Sequence, residues 1–333
     1  MTVHRDLKKI IRDRQNKTGE SYTIARAHVL CAQAQLLGLP VKPPPIVVSQ
    51  RRDAVVLKVN HQSARVRMLG EARDVTFRSS DAWCIAPGQV VTLDVEKTWL
   101  WLGDPYASGK IENPRLDLAK LGLTPLPLSG GELEDLRSAY EPYRRPDPYA
   151  PMWRKLTAKR RATFEMDPIA WGAFPGDDAD DNPTCDAAEL VEAGDVKSAR
   201  ELLMDTLLRD LRCLDAHAHL GNLEFDRSPQ RAIVHYEIGM RIGEMSLPPG
   251  FDGAMLWGCI YNRPYLRCLN GYGLCLWRLG RLAEAQVVFE RNLSLSPNDN
   301  QGVRFCWDDV RNDKSWEEAQ EGENAAGAQD DLN

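Results

Sequence analysis

Residues 271–297 read GYGLCLWRLGRLAEAQVVFERNLSLSP. Small residues stand at Gly273, Gly280 and Ala285, an aromatic at Phe289 and a proline at Pro297. Two antiparallel helices cross closely only where side chains are small, and that need accounts for Gly273 and Ala285. Phe289 then fills the wedge beside the crossing, and Pro297, lacking an N–H, ends the second helix. The stretch predicts a helical hairpin shaped to stack on others of its kind.

The intervals from Gly273 to Ala285, to Phe289 and to Pro297 match the tetratricopeptide pattern, a repeat of about 34 residues. Leu269 and Leu276 stand where that pattern prefers Trp and Tyr. An upstream copy reads Leu220-Gly221, Ala232, Tyr236 and Gly239, and a further one Ala187, Gly194, Ala199 and Leu203. Three hairpins are about the minimum for a stable stack, since one pair cannot bury its apolar face alone. Between the second and third copies lies an insertion, SLPPGFDGAMLWGCIYNRP (246–264), too apolar to float free. It is expected to fold back on the stack, as a plug first and as part of a binding site second. By analogy with such repeats, the first helix of each hairpin lines a concave groove. Its candidate partner-binding residues are Asn222, Phe225, Arg267, Asn270 and Trp277, with Leu274 among them and Trp257 from the insertion. Arg, Asn and aromatic side chains there suit an extended peptide with a carboxylate. Ala218 and Gly271 occupy places where a two-carboxylate clamp needs polar groups, so that clamp is not expected.

Ahead of the repeats the period changes to two. DAVVLKVN, SARVRML, DVTFRS, QVVTLDVE and TWLWLG alternate apolar and polar residues between turn signals. They predict five short strands and a small antiparallel barrel, with Lys58, Arg65, Arg67, Arg73 and Arg78 outward. Trp83, Trp99 and Trp101 are available for base stacking, although at least two of them are expected inside the barrel. GDPYASGK (103–110) misses the phosphate-loop spacing and its hydroxyl, and reads as a glycine-terminated turn. Residues 4–38 read as two helices, the first with Leu7, Ile10 and Ile11 on one face and the second ending at Gly38. VKPPPI (41–46) is a stiff linker.

The expected fold class is therefore α+β and multidomain: an N-terminal helical pair, a small antiparallel β-barrel-like domain and a C-terminal α-α superhelix of tetratricopeptide type. The expected boundaries are 1–40 for the basic helical pair and 44–121 for the barrel. A Pro- and acid-rich surface connector occupies 122–184, the repeats 185–311, and an acidic, disordered tail 312–333.

The 333 residues carry a net charge of −6, unevenly spread. Residues 1–80 hold fifteen Lys and Arg against six Asp and Glu, while the rest is net acidic. That basic front admits an anionic partner, with Lys8, Lys9, Arg12, Arg65 and Arg67 as candidate nucleic-acid contacts, or else an attraction between the two parts of the chain. MTVHRDLKKIIRDRQ has no secretory leader pattern, and nowhere do about 18 apolar residues run together, so a cytoplasmic protein with no membrane segment is expected. Eight cysteines show no C-x-x-C pair and read as buried apolar residues. Cys213 and His217 share a helical face but leave a zinc site half built. The acidic DDADDN (177–182) lacks the glycine and distal Glu of a calcium loop. No nucleophile elbow, zinc-protease helix or dinucleotide turn is present, so no metal, no cofactor and no catalytic residue is expected.

From about residue 54 to 311 the chain resembles a family of bacterial cytoplasmic tetratricopeptide proteins of unassigned activity. The blocks that carry the likeness are GDPYASGKIENPRLD, DLRCLDAHAHLGNLEFD, HYEIGMRIGEMSLPPGFDGAMLWG, NRPYLRCLNGYGLCLWRLGRLAEA and NDNQGVRF. The resemblance implies fold, cytosolic location and a repeat-mediated scaffold role. Three functions follow as expectations: a non-catalytic scaffold binding a protein or peptide, a nucleic-acid-associated protein using residues 1–80, and an enzyme without a recognisable motif.

Overall fold

Alternating apolar and polar residues build the middle of the chain, and helical periodicity builds its C-terminal half. The computed structural model describes residues 3–19, 25–26, 28–30, 32, 46–139, 147–168 and 182–321. The chain is mixed α/β, with a five-stranded barrel and many C-terminal helices, and divides into two compact units, Met1–Leu121 and Gly122–Asn333.

The first unit begins with α1 (Val3–Thr18), whose Ile11 is buried in a cluster with Ala25 and Val29. The expected second helix lies largely outside the described residues; of it, 25–26, 28–30 and 32 are helical. The 41–46 linker lies outside them apart from residue 46. Strands β1 (Ile46–Asn60), β2 (Ser63–Met68), β3 (Asp74–Arg78), β4 (Val90–Trp101) and β5 (Asp104–Arg115) close a barrel in the order β1-β2-β3-β5-β4. β1 pairs first with β4 and, further along, with β2. Ala54, Val56, Ala64, Val66, Val75, Phe77, Val91, Leu93 and Val95 alternate inward to form the core, as period two requires. A single-turn helix, α2 (Leu118–Leu121), follows the barrel.

The barrel departs from the sequence expectation in three ways. QVVTLDVE and TWLWLG form one strand, β4, because a bulge between Val95 and Lys97 replaces the expected turn. The stretch read as a turn is β5. It carries Pro105 near its start and Gly109 inside it, residues that argue against a strand. Gly109 is needed there, since a Cβ would stand 1.9 Å from the Asp94 carbonyl oxygen across the bulge. The barrel is also not wholly antiparallel, for β3 and β5 run parallel at Thr76–Tyr106 and Arg78–Ser108.

In the second unit, the segment expected as a surface connector with a short helix at 131–139 supplies β6 (Leu128–Glu134), a 3-10 turn at Leu136–Ala139, α3 (Ala150–Leu156) and β7 (Arg161–Met166). β6 and β7 pair antiparallel. Helices α4 (Pro183–Glu192), α5 (Val196–Arg209), α6 (Leu214–Phe225), α7 (Pro229–Met245), α8 (Arg263–Arg278), α9 (Leu282–Leu295) and α10 (Val303–Arg311) follow. Pro183, Pro229 and Pro264 sit in the first turns of α4, α7 and α8, where a missing N–H breaks no helical bond. α4 packs on α5, α6 on α7 and α8 on α9, while α6 and α7 both meet α8.

The crossings are glycine notches. A Cβ on Gly273 would fall 2.4 Å from the Phe289 ring, and one on Gly221 would fall 2.6 Å from Tyr236. The Tyr236 ring also lies against Gly271. On α7, Gly239 receives Cys268 and Gly243 receives Tyr265, both from α8. Large side chains are thus seated where the facing helix has none.

The insertion does fold back. Ala254 bonds on both sides to β7, donating to the Ala162 carbonyl and accepting from Phe164 N–H, and Met255 N–H donates to Leu295 at the end of α9. Phe251 packs on Phe164. Buried Asn262 accepts from Met166 N–H and donates to the Phe164 and Leu256 carbonyls. Arg161 donates to the carbonyls of Asp252, Gly253 and Ser294. The insertion and the β6–β7 sheet are therefore one module beside the helices.

Candidate functional site

Helical spacing on α8 puts Arg267, Asn270, Leu274 and Trp277 on one face, and on α6 it does the same for Asp215, His219 and Asn222. Because α6 and α8 pack together, these faces meet. At one end Arg267 pairs with Asp215 at 2.8 Å, and Thr184 of α4 donates to the same carboxylate at 3.1 Å. Trp257 meets two guanidinium groups, 5.4 Å from Arg263 and 5.7 Å from Arg267, within cation–π range. His219 stands 3.8 Å from Asp215, and burial pulls its pKa below the usual imidazole range. In the middle, exposed Asn222 accepts from the Tyr236 hydroxyl at 2.6 Å. The Asn270 side-chain oxygen is buried without a hydrogen-bond partner.

The other end is covered by the chain itself. Of the tail expected to be disordered, residues 322–333 lie outside the described residues, and the described part, 312–321, turns back after α10, with Asp313 in the left-handed region at φ 56°. It forms a helical turn over 316–321. Ser315 and Glu318 cap one another reciprocally, each backbone N–H meeting the other's side chain. Trp316 stands edge-on to Trp277 at 5.0 Å and to Phe225 at 5.9 Å. The Trp277 indole donates to the Lys314 carbonyl at 2.9 Å. Arg278 lies 4.7 Å from the Phe225 ring and 5.5 Å from Trp316, and it donates to the Phe225 carbonyl. Sequence reading placed Phe225 and Trp277 on the groove and missed Trp316, Arg278 and Arg263. The capping box Ser315-Trp-Glu-Glu318 was the available signal for a helix inside the acidic tail.

On the first unit, Lys8, Lys9 and Arg12 are exposed on α1, whose Ile11 is buried. Arg65 donates to Thr76 at 3.1 Å, and Arg67 pairs with Asp74 at 2.8 Å. None of Trp83, Trp99 and Trp101 joins the barrel core, contrary to expectation, because β-branched and small residues with Phe77 already fill it. Trp83 is 56% exposed. Trp99 lies outside the barrel core yet is only 9% exposed, and it stacks on Tyr106 at 5.6 Å with Arg78 over both rings. Cross-strand register sets Arg65, Thr76, Tyr106 and Trp99 in one row over β2, β3, β5 and β4. Beside that row Gln62, Ser63, Arg78, Ser79, Ser80, Glu96, Ser108 and Gly109 line an open cleft of about 690 Å³.

Among the described residues no group of three or more His, Cys, Asp or Glu side chains is placed to hold a metal ion. Buried Cys213 and Cys275 have thiols pushed up to about 12 by burial, which removes thiolate chemistry at neutral pH. No helix among the described residues is long and apolar enough to cross a membrane. No protein-family model matches the chain, and no curated protein matches it.

Proposed function

We propose that the second unit is a non-catalytic interaction scaffold, its three helical hairpins stacking as a tetratricopeptide-like superhelix that grips a peptide or partner protein on the α6–α8 face. The observation that carries this reading is the repeated notch: Gly221 with Tyr236 and Gly273 with Phe289 form the same contact at corresponding places of successive hairpins. A surface of Trp257, Arg263 and Arg267 next to that stack offers a guanidinium-and-indole site for a carboxylate-bearing peptide. The reading includes a cytoplasmic location and kinship with the bacterial tetratricopeptide proteins that the sequence resembles.

The test is affinity capture with the full chain, before and after nuclease, alongside Arg267→Ala and Trp257→Ala variants. The expected outcome is a set of captured proteins that survives nuclease and is lost from both variants. Capture that is unchanged in the variants, or that vanishes with nuclease, counts against the scaffold.

A second reading is favoured by the Arg65–Thr76–Tyr106–Trp99 row. Five-stranded Greek-key barrels commonly hold oligonucleotides on their second and third strands, where aromatic and basic groups meet bases and phosphates. Exposed Lys8, Lys9 and Arg12 would add phosphate contacts. Single-stranded RNA or DNA binding that falls steeply between low and moderate salt is the expected result, and negligible binding at low salt removes this reading.

A further inference from the structure

Residues 314–321 lie on the α6–α8 face as a bound peptide would. Their anchor is an aromatic ring, Trp316, between Phe225 and Trp277. Their main chain is read by an indole N–H, Trp277 to the Lys314 carbonyl. Arg278 lies against the anchor ring, and Ala319 of the arm is buried. The connection to α10 is a tight reversal through Asp313, a non-glycine residue with positive φ, a backbone conformation that side-chain-bearing residues seldom adopt. Helix α10 already covers α9, so this arm is an addition to the helical stack and not its last layer.

We propose that this arm is a resident stand-in for the partner, and that the covered end of the groove recognises a short helical peptide with the arm's chemistry: a tryptophan anchor on a main-chain turn whose carbonyl meets the Trp277 indole. The partner displaces the arm, and the freed groove binds it through Phe225, Trp277 and Arg278. The inference rests on the scaffold reading of this face. A tethered arm acts at a local concentration near the millimolar range, so it lowers the apparent affinity of a competing peptide by the fraction of time the groove is open.

The experiment measures fluorescence anisotropy of a labelled peptide of residues 312–321 against the full chain, the full-length Trp316→Ala variant and a Trp316→Ala/Phe225→Ala double variant. The expected result is binding to Trp316→Ala at least about tenfold tighter than to the unaltered chain, and its loss in the double variant. A folded Trp316→Ala protein that binds the peptide no better than the unaltered chain overturns the proposal. Should Trp316→Ala fail to fold, amide exchange on the unaltered chain decides. Residues 314–321 exchanging at least about tenfold faster than α8 and α10 support a removable arm, and equal protection refutes it. The capture experiment reads Trp257 and Arg267 at the uncovered end, so failure there and failure here are separate results.

Discussion

Gly273 and Gly221 hold equivalent places, each facing the ring of an aromatic from the following helix. Replacing Gly273 by Ala drives a Cβ to 2.4 Å from Phe289, so one of the two must move. We expect Gly273→Ala to lower the stability of the second unit by about 1–3 kcal/mol, with partial recovery in Gly273→Ala/Phe289→Leu, both read from denaturant melts. At Gly109 the obstacle is backbone, the Asp94 carbonyl at 1.9 Å, and no side chain can give way. Gly109→Ala should therefore cost more, about 3 kcal/mol or above, and shift β4–β5 amide resonances at the bulge. The first glycine was legible in the sequence because its partner lies a fixed interval away in one hairpin. The second was not, because its reason is a neighbouring strand's carbonyl, which no local pattern encodes.

Between α6 and α7 two histidines, His217 and His235, are buried, and each Nδ1 lacks a hydrogen-bond partner. His217 makes its one contact through Nε2 with the Leu211 carbonyl at 3.0 Å, and burial pulls its pKa down to about 4. Burial shifts His235 in the same direction. Between the unfolded value of 6.5 and about 4 the unfolded chain binds more protons, so this pair's contribution is whole above pH 6.5 and is lost as pH falls through that window. Asp299, lifted to about 6 by burial, acts in the opposite sense. A variant comparison separates them. From pH 7 to 4.5 the unaltered chain should lose about 2 kcal/mol more than His217→Gln, whose amide can still donate to Leu211. Arg161 is the other element-scale joint, since its guanidinium serves three carbonyls of the insertion and α9. Arg161→Ala should cost about 2–4 kcal/mol and speed amide exchange at Met255, whose N–H reaches Leu295. The helices were readable from period and caps. The β6–β7 module was not, because β6 is short, exposed and glycine-bearing, and its partner lies beyond a long interruption.

Over the whole molecule the uneven charge of the sequence persists as chemistry, but much of it is spoken for. Arg51, Arg52, Arg67 and Arg115 pair with Glu112, Glu71, Asp74 and Asp53. If the barrel row holds single-stranded nucleic acid, Arg78→Glu should weaken binding about tenfold at low salt and flatten its salt dependence, as filter binding would read. The α/β class, the presence of a barrel and the helical hairpins were all within reach of periodicity. The parallel closure, the placing of the tryptophans outside the barrel core and the returning arm were not, because each depends on contacts between segments distant in sequence. The ring of Tyr236 carries a last consequence. Seated between Gly221 of its own hairpin and Gly271 of the next, it serves two neighbours at once. Removing α8 would thus bare one face of that ring, so the pair α6–α7 is not independent of the helix that follows it. A pulling force should therefore break α6–α7 and α8–α9 in one event instead of peeling them apart in turn.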